Sequence, residues 1–252
     1  MKAAIDFGSS LIKIVYKKNE MNYLSSGDIP ISEIVTKMKS DGVSEVIAVG
    51  IGSTTGFEEF DLKRLEGDAI QNEARLQAES VRKMVEVDTF LLVSIGTGTS
   101  YTKVSPEKIE KLPIGNSLGG GFIYGLGKVL GASFGEIASN NGKPLDLCIK
   151  DLLPEKQDTF EGELVIAHFG IAKNDSTKED AIASAITTVG VGIIQDLAYI
   201  EAPVDIVFIG TCVSKIPTLK KILANYCPAF GKKAHFPEKG EFALAIGAYN
   251  SL

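Results

Sequence analysis

Twice in this chain an apolar, strand-like run stops at a glycine among hydroxyl residues, and the two occurrences are spaced as a duplicated fold would space them. The first is Ala4-Ile5-Asp6-Phe7-Gly8-Ser9-Ser10-Leu11-Ile12-Lys13-Ile14-Val15-Tyr16, and the second is Phe90-Leu91-Leu92-Val93-Ser94-Ile95-Gly96-Thr97-Gly98-Thr99-Ser100. A short apolar run bounded by turn residues reads as a buried strand. A strand ending at Asp6 exposes that carboxylate at the sheet edge, where it suits a hydrated Mg²⁺. The amides and hydroxyls of Gly8, Ser9 and Ser10 then approach phosphate oxygens, and Lys13 adds positive charge. Taken alone, this first segment is equally an ordinary hairpin with a tight Gly-Ser-Ser turn.

A third glycine-rich segment tips the balance towards phosphate. Gly115-Asn116-Ser117-Leu118-Gly119-Gly120-Gly121 opens an apolar helical stretch, so its glycines stand at a helix N-terminus with unpaired N–H groups and a positive dipole end. The later apolar run Val204 to Ile209 ends at Gly210, as a backbone passing close to a flat ligand requires.

Around these segments the chain reads as two lobes, residues 1–86 and 87–252. The first has three short strands, a helix from Pro30 to Lys39, a strand from Val43 to Val49, an acidic surface linker from Phe57 to Asp68, and a helix from Asn72 to Val85 that joins the lobes. The second opens with the strand at Phe90. Helices follow near Phe122–Leu130, Phe134–Asn140, Leu145–Leu152 and Lys178–Tyr199, and His235 falls in a late strand.

Composition limits the partners. The 252 residues carry 23% charged side chains and a net charge of −6, so no basic field is present to hold nucleic acid or anionic lipid. Hydrophobic residues at 44% allow a substantial core. Cys148, Cys212 and Cys227 lack metal-ligand spacing and read as reduced, mostly buried thiols. His168 and His235 read as ordinary hydrogen-bonded histidines. No basic leader with an apolar run stands at the start, and no uninterrupted apolar stretch reaches membrane length, so a cytoplasmic protein is expected.

The chain resembles the type II (eukaryotic-like) pantothenate kinases of the actin, sugar kinase and heat-shock ATPase superfamily. The resemblance rests on Asp6 to Lys13, Gly96 to Ser100, Asn116 to Gly121 with Gly125-Leu126, Ser133-Phe134-Gly135-Glu136-Ile137-Ala138, Asp146 to Asp151, Ala167-His168-Phe169-Gly170, Phe208-Ile209-Gly210, and Ala243 to Ala248. It implies an α/β, two-lobed actin-like ATPase (ribonuclease H-like) fold with a duplicated βββαβα core. The implied chemistry is ATP-dependent phosphorylation of the primary hydroxyl of pantothenate. In that reading Asp6 organises Mg²⁺ through water, while Gly8, Ser9, Ser10, Lys13, Gly96, Thr97, Gly98, Gly119, Gly120, Gly121 and Gly210 hold ATP. Thr97, Thr99, Ser100 and Gly115 shape the acceptor side. Glu73, matching the glutamate that begins the family's lobe-joining helix, is the general base, with Glu79, Asp61 and Asp68 as competitors. A homodimer through the second lobe is implied as well.

Two departures stand out. Gly8-Ser9-Ser10 replaces the family's Gly-Gly-Thr, and Leu112 falls where the family has a substrate-contacting arginine, with Lys111 beside it. If Leu112 points into the cleft, strand alternation turns Lys111 away. An acceptor such as pantetheine or an amino sugar therefore stays open, as does a non-kinase energy-coupling ATPase.

Overall fold

The computed structural model describes residues 1–251. The first sheet holds β1 (Lys2–Phe7), β2 (Ile12–Lys17), β3 (Met21–Ser25), β4 (Glu45–Val49) and β5 (Asp61–Arg64), in the order β3-β2-β1-β4-β5. The second holds β6 (Phe90–Ile95), β7 (Thr99–Val104), β8 (Ile109–Asn116), β11 (Asp205–Ile209) and β12 (Lys233–His235), in the order β8-β7-β6-β11-β12. Both are built the same way. A three-stranded antiparallel meander comes first, and its first strand then pairs in parallel with the fourth, which pairs in parallel with the fifth. The duplication expected from the two glycine turns is thus present strand for strand.

Helix α1 (Ile31–Ser40) covers the outer face of the first sheet, where Ile34 and Met38 meet Ala3, Ile5, Phe7 and Val46 in one core. On the second sheet the corresponding layer is α3 (Gly120–Val129), α4 (Phe134–Ala138), α6 (Lys178–Tyr199), α7 (Thr211–Lys215) and α8 (Pro217–Tyr226). Leu91, Val93 and Ile95 point into that layer, while Phe90 and Leu92 point to the other face. Strands buried on both faces read as continuous apolar runs, which is why β6 shows no alternation in sequence. Among the described residues α6 is the one helix long and apolar enough to cross a membrane, and most of it is buried inside the fold.

Two helices change sides. Helix α2 (Ala69–Val85) follows β5 of the first sheet but lays Ala78 and Val81 against Phe90, Leu92 and Val104 of the second. Helix α9 (Ala243–Asn250) follows β12 of the second sheet but packs Leu244 and Ala248 against Ala4 and Val49, and Ala245 against Val15, all in the first. They cross at Gly247, where any Cβ would overlap the Leu76 carbonyl.

Several sequence expectations need correction. The segment expected as a surface linker contains β5, and its Phe57 and Phe60 are buried in the first core; the acidic residues around them mask a parallel edge strand. Helix α2 starts at Ala69, capped by Asp68, so Glu73 lies in the second turn, not at the helix start. Only the second half of the stretch 145–152 is helical: β9 (Leu147–Cys148) leads into the single turn α5 (Ile149–Leu152), and β9 pairs with β10 (Val165–Ala167). Strands β7 and β8 follow β6 before any helix does.

Candidate active site

A cleft of about 720 Å³ opens between the lobes, with the β1–β2 turn on one side and the β6–β7 turn on the other. Both turns are held from behind in the same manner. Gly50, just past β4, has φ +80°, and a Cβ there would stand 2.6 Å from the Phe7 carbonyl oxygen; Gly210, just past β11, has φ +114° and crowds the Ile95 carbonyl in the same way. Only glycine fits this close approach with left-handed backbone. Gly210 therefore supports the second turn, and it lines a separate hollow beside Phe208 and Phe236 instead of the cleft.

The glycine triplet also serves the protein itself. The Gly120 amide donates to Gly96 O and the Gly121 amide to Thr97 O, each at 2.8 Å. These first amides of α3, which sequence placed on phosphate, are occupied by the second turn. A Cβ at Gly119 would lie 2.8 Å from Gly98 and Thr97 atoms, one at Gly120 2.7 Å from Cys212 Sγ, and one at Gly121 2.8 Å from Thr97. Thr99 is likewise engaged, donating to Leu118 O at 2.8 Å, and Gly115 pairs with Ser100 in the sheet outside the cleft lining. Behind this junction Asp196 of α6 accepts from Tyr101 and from Asn116 Nδ2, and Asn116 Oδ1 accepts from the Leu118 amide at 2.8 Å.

Among the described residues, the amides of Gly8, Ser9, Ser10 and Leu11 in the first turn and of Thr97 and Gly98 in the second have no partner within the chain. Facing turns with free N–H groups form an anion-binding concavity. Asp6 and Lys13 stand behind the first turn as cross-strand partners, 3.7 Å apart. Burial pushes the Asp6 carboxyl up to about 6, against the pull of Lys13 and with a smaller push from the Glu73 charge.

Asp6 and Glu73 are the only carboxylates lining the cleft among the described residues. Glu73 Oε1 accepts from Gln77 Nε2 at 3.4 Å and has no cationic partner there. Its rivals are occupied elsewhere. Glu79 pairs with Arg75 at 3.3 Å, Asp61 with Lys63 at 3.5 Å, and Asp68 caps α2 through the Gln71 amide at 2.8 Å.

Strand β8 settles the facing of Lys111. Ser100 pairs with Gly115 and Thr102 with Lys111, so Leu112, Pro113 and Ile114 bulge opposite Tyr101 alone. A bulge re-aims side chains. Leu112 turns into the core beside Tyr101, whereas Lys111 shares a face with Ser100, donates to its Oγ at 3.4 Å and lines the cleft. Lys111 was expected to point away only if Leu112 faced the cleft, and that condition is not met because Leu112 is on the core side.

Sequence reasoning missed the apolar end of the cleft, formed by Tyr124, Ala132, Phe134 and Ile137 with Lys128 at its edge. Tyr124 and Phe134 stack with centroids 4.6 Å apart, and Ser133 caps α4 in a reciprocal box with Glu136 that fixes Phe134 in place. The signal was the Ser-Phe-Gly-Glu segment, a helix start with an aromatic at its first position. The three cysteines are free, and burial pushes the Cys212 thiol up to about 12. His235 Nε2 bonds with Asp205 Oδ1 at 2.6 Å, as expected of a hydrogen-bonded histidine, whereas His168 Nδ1 stands 3.3 Å from Asp146 Oδ1 and makes no hydrogen bond.

Comparison with known proteins places this geometry in context. Residues 53–251 match the family model described as Fumble. The chain is 27% identical to a type II pantothenate kinase of Staphylococcus haemolyticus, with 98% of both chains covered. It is 28% identical to that of Staphylococcus epidermidis, over 98% of this chain and 99% of the relative. Component A of the Acidaminococcus fermentans (R)-2-hydroxyglutaryl-CoA dehydratase superposes with a TM-score of 0.61 at 16% identity, covering 98% of this chain and 95% of that one. A ROK family glucokinase from Streptomyces griseus, solved with glucose and AMPPNP, gives 0.53 at 13% identity, covering 99% and 98%. These last two similarities show the shared fold alone.

Proposed function

Because the chain belongs to the Fumble family, and its full-length relatives are type II pantothenate kinases, we propose that it phosphorylates the primary hydroxyl of pantothenate with ATP, the first step of coenzyme A biosynthesis. The observation that carries the chemistry is the pair of cleft carboxylates in unlike settings. Asp6 is buried with its cation 3.7 Å away, and Glu73 is half-buried and free of any cation.

Asp6 fits a divalent cation, since its raised pKa marks a buried charge that Lys13 compensates only in part. Mg·ATP, when bound, supplies the phosphoryl group and the counter-charge on its oxygens. The chain's own part is positioning. The free amides of the two turns and Lys13 hold the phosphates, and the Tyr124–Phe134 stack at the apolar end offers a flat face to the base. Glu73 accepts the proton of the acceptor hydroxyl, for which an unpaired carboxylate is suited. Gly119, Gly120 and Gly121 contribute by shaping the second turn. Lys111, on the cleft face, is the cation for the acceptor carboxylate, since a carboxylate leaving water needs a charged or amide partner.

The enzyme is read as a cytoplasmic homodimer that meets through its second lobe. The apolar residues of α6 are consumed inside the fold, so support comes from Ile114, Val129, Leu152 and Ile166, all exposed on that lobe. A monomeric mass at micromolar concentration with full activity would refute the dimer. The reaction itself is tested by offering labelled ATP with pantothenate, pantetheine and amino sugars. Label in phosphopantothenate is expected. Label in another product would name a different acceptor, and label in inorganic phosphate alone would favour an ATPase.

A further inference from the structure

One contact ties the lobes together directly at the phosphate turns. Ser9 Oγ lies 2.8 Å and Ser10 Oγ 2.7 Å from Thr97 Oγ1. The serines belong to the β1–β2 turn and the threonine to the β6–β7 turn, so the bonds run tip to tip between equivalent hairpins of the two sheets. All three residues are exposed. No packing holds these side chains together, which leaves their hydroxyls to do it.

Thr97 is fixed from both directions. Its carbonyl accepts from the Gly121 amide at 2.8 Å, which anchors its backbone to α3 in the second lobe. Its hydroxyl is anchored to the first lobe. A hydroxyl has one hydrogen and two lone pairs, so two serine partners leave a single direction from Thr97 Oγ1 for a ligand. Hydroxyl pairs in water are weak, and bonds to charged oxygens are stronger. With both serines donating to Thr97 Oγ1, the remaining direction is its own O–H, which a phosphate oxygen accepts without dismantling a costly contact.

We propose that Ser9 and Ser10 are positioning residues that act on the nucleotide through Thr97: they aim its hydroxyl and set the spacing of the two turns whose free amides face the phosphates. The inference rests on the nucleotide reading above. It gives Ser9 a role that glycine there could not perform, because glycine has no hydroxyl to reach across the cleft.

The test is a double-mutant cycle on the full-length protein, read as the dissociation constant of Mg·ADP by calorimetry. Ser9→Ala and Thr97→Val are each expected to weaken binding about three- to tenfold. The double variant is expected to bind within about twofold of Thr97→Val alone, since a residue acting through another adds nothing once that other is gone. The KM for ATP should rise in parallel while kcat stays nearly constant, and Ser9→Thr, which restores a hydroxyl, should recover the affinity. Unfolding midpoints should match the wild type, because all three sites are exposed. Losses that multiply in the double variant would mean that Ser9 meets the ligand independently, and would overturn the proposal. So would an unaffected Ser9→Ala, or a failure of Ser9→Thr to rescue. A wild type that binds neither Mg·ADP nor Mg·ATP would overturn the kinase reading and this inference with it.

Discussion

Asp6 on β1 and Lys13 on β2 are direct cross-strand partners, yet their charged groups stand 3.7 Å apart. The carboxylate is buried, with its pKa raised from 3.8 to about 6, chiefly by desolvation. Below pH 4 both folded and unfolded forms are protonated and no penalty exists. As pH rises from about 4 to 6 the unfolded form ionises first, so folding loses stability, and the full cost is present above pH 6. Asp6→Asn is therefore expected to stabilise the cation-free protein by about 1 to 3 kcal/mol at pH 7 and by little at pH 4. Thermal unfolding across that range, with chelator present, checks the sign. The same variant should lose kinase activity.

Glu73→Gln should retain ATP affinity and lower turnover by about 10² to 10⁴, the range for a positioned general base. The amide is isosteric, and the Gln77 contact at 3.4 Å is long enough to adjust. Single-turnover rates with pantothenate measure it directly. Near-normal turnover would leave no carboxylate in the cleft but Asp6 for the base role.

Gly120→Val should damage both stability and nucleotide binding, since its side chain would meet Cys212 Sγ and Gly96 O before it met any ligand. Overpacking of this kind costs about 1 to 3 kcal/mol. A lowered unfolding midpoint together with a raised KM for ATP is the expected pattern. Lost binding at an unchanged midpoint would place the clash on the nucleotide instead.

Lys111→Ala should raise the KM for pantothenate about 10- to 100-fold, the loss of a hydrogen bond to a charged group, and leave the KM for pantetheine nearly unchanged. Wild type should prefer pantothenate. A variant that keeps this preference would move the anchor to another group.

Much of the fold was legible because its strongest signals are local. Buried strands such as Phe90–Ile95 and hydroxyl-rich turns such as Gly8-Ser9-Ser10 announce themselves in a few residues, and their recurrence shows the duplication. What stayed hidden depends on partners distant in sequence. The strand Asp61–Arg64 is exposed and charged, and only its pairing with Glu45–Ala48 makes it a strand. Glycines at 119–121 look the same whether they face phosphate or the second turn, and only the Gly96 and Thr97 carbonyls decide. Alternation sets Lys111 and Leu112 on opposite faces, but the sequence does not say which of the two meets the cleft; the bulge around Pro113 gives that place to Lys111. Asp6, Lys13 and Glu73 were found together in the cleft, while Phe134 and Tyr124 had no polar chemistry to single them out.

The exchange of α2 and α9 between the sheets bears on how the chain is made. Strands β1 to β5 leave the ribosome early, but the cover for Ala4, Val15 and Val49 is α9, which follows the whole of the second sheet. Until that helix has been synthesised this face of the first sheet has only Leu76 of α2 over Ala4 and Val49, and Val15 lacks Ala245 and Phe242. A fragment ending after α2 lacks α9 permanently, and such surfaces associate readily. The first lobe is made before the second yet is finished only after the second sheet has been synthesised.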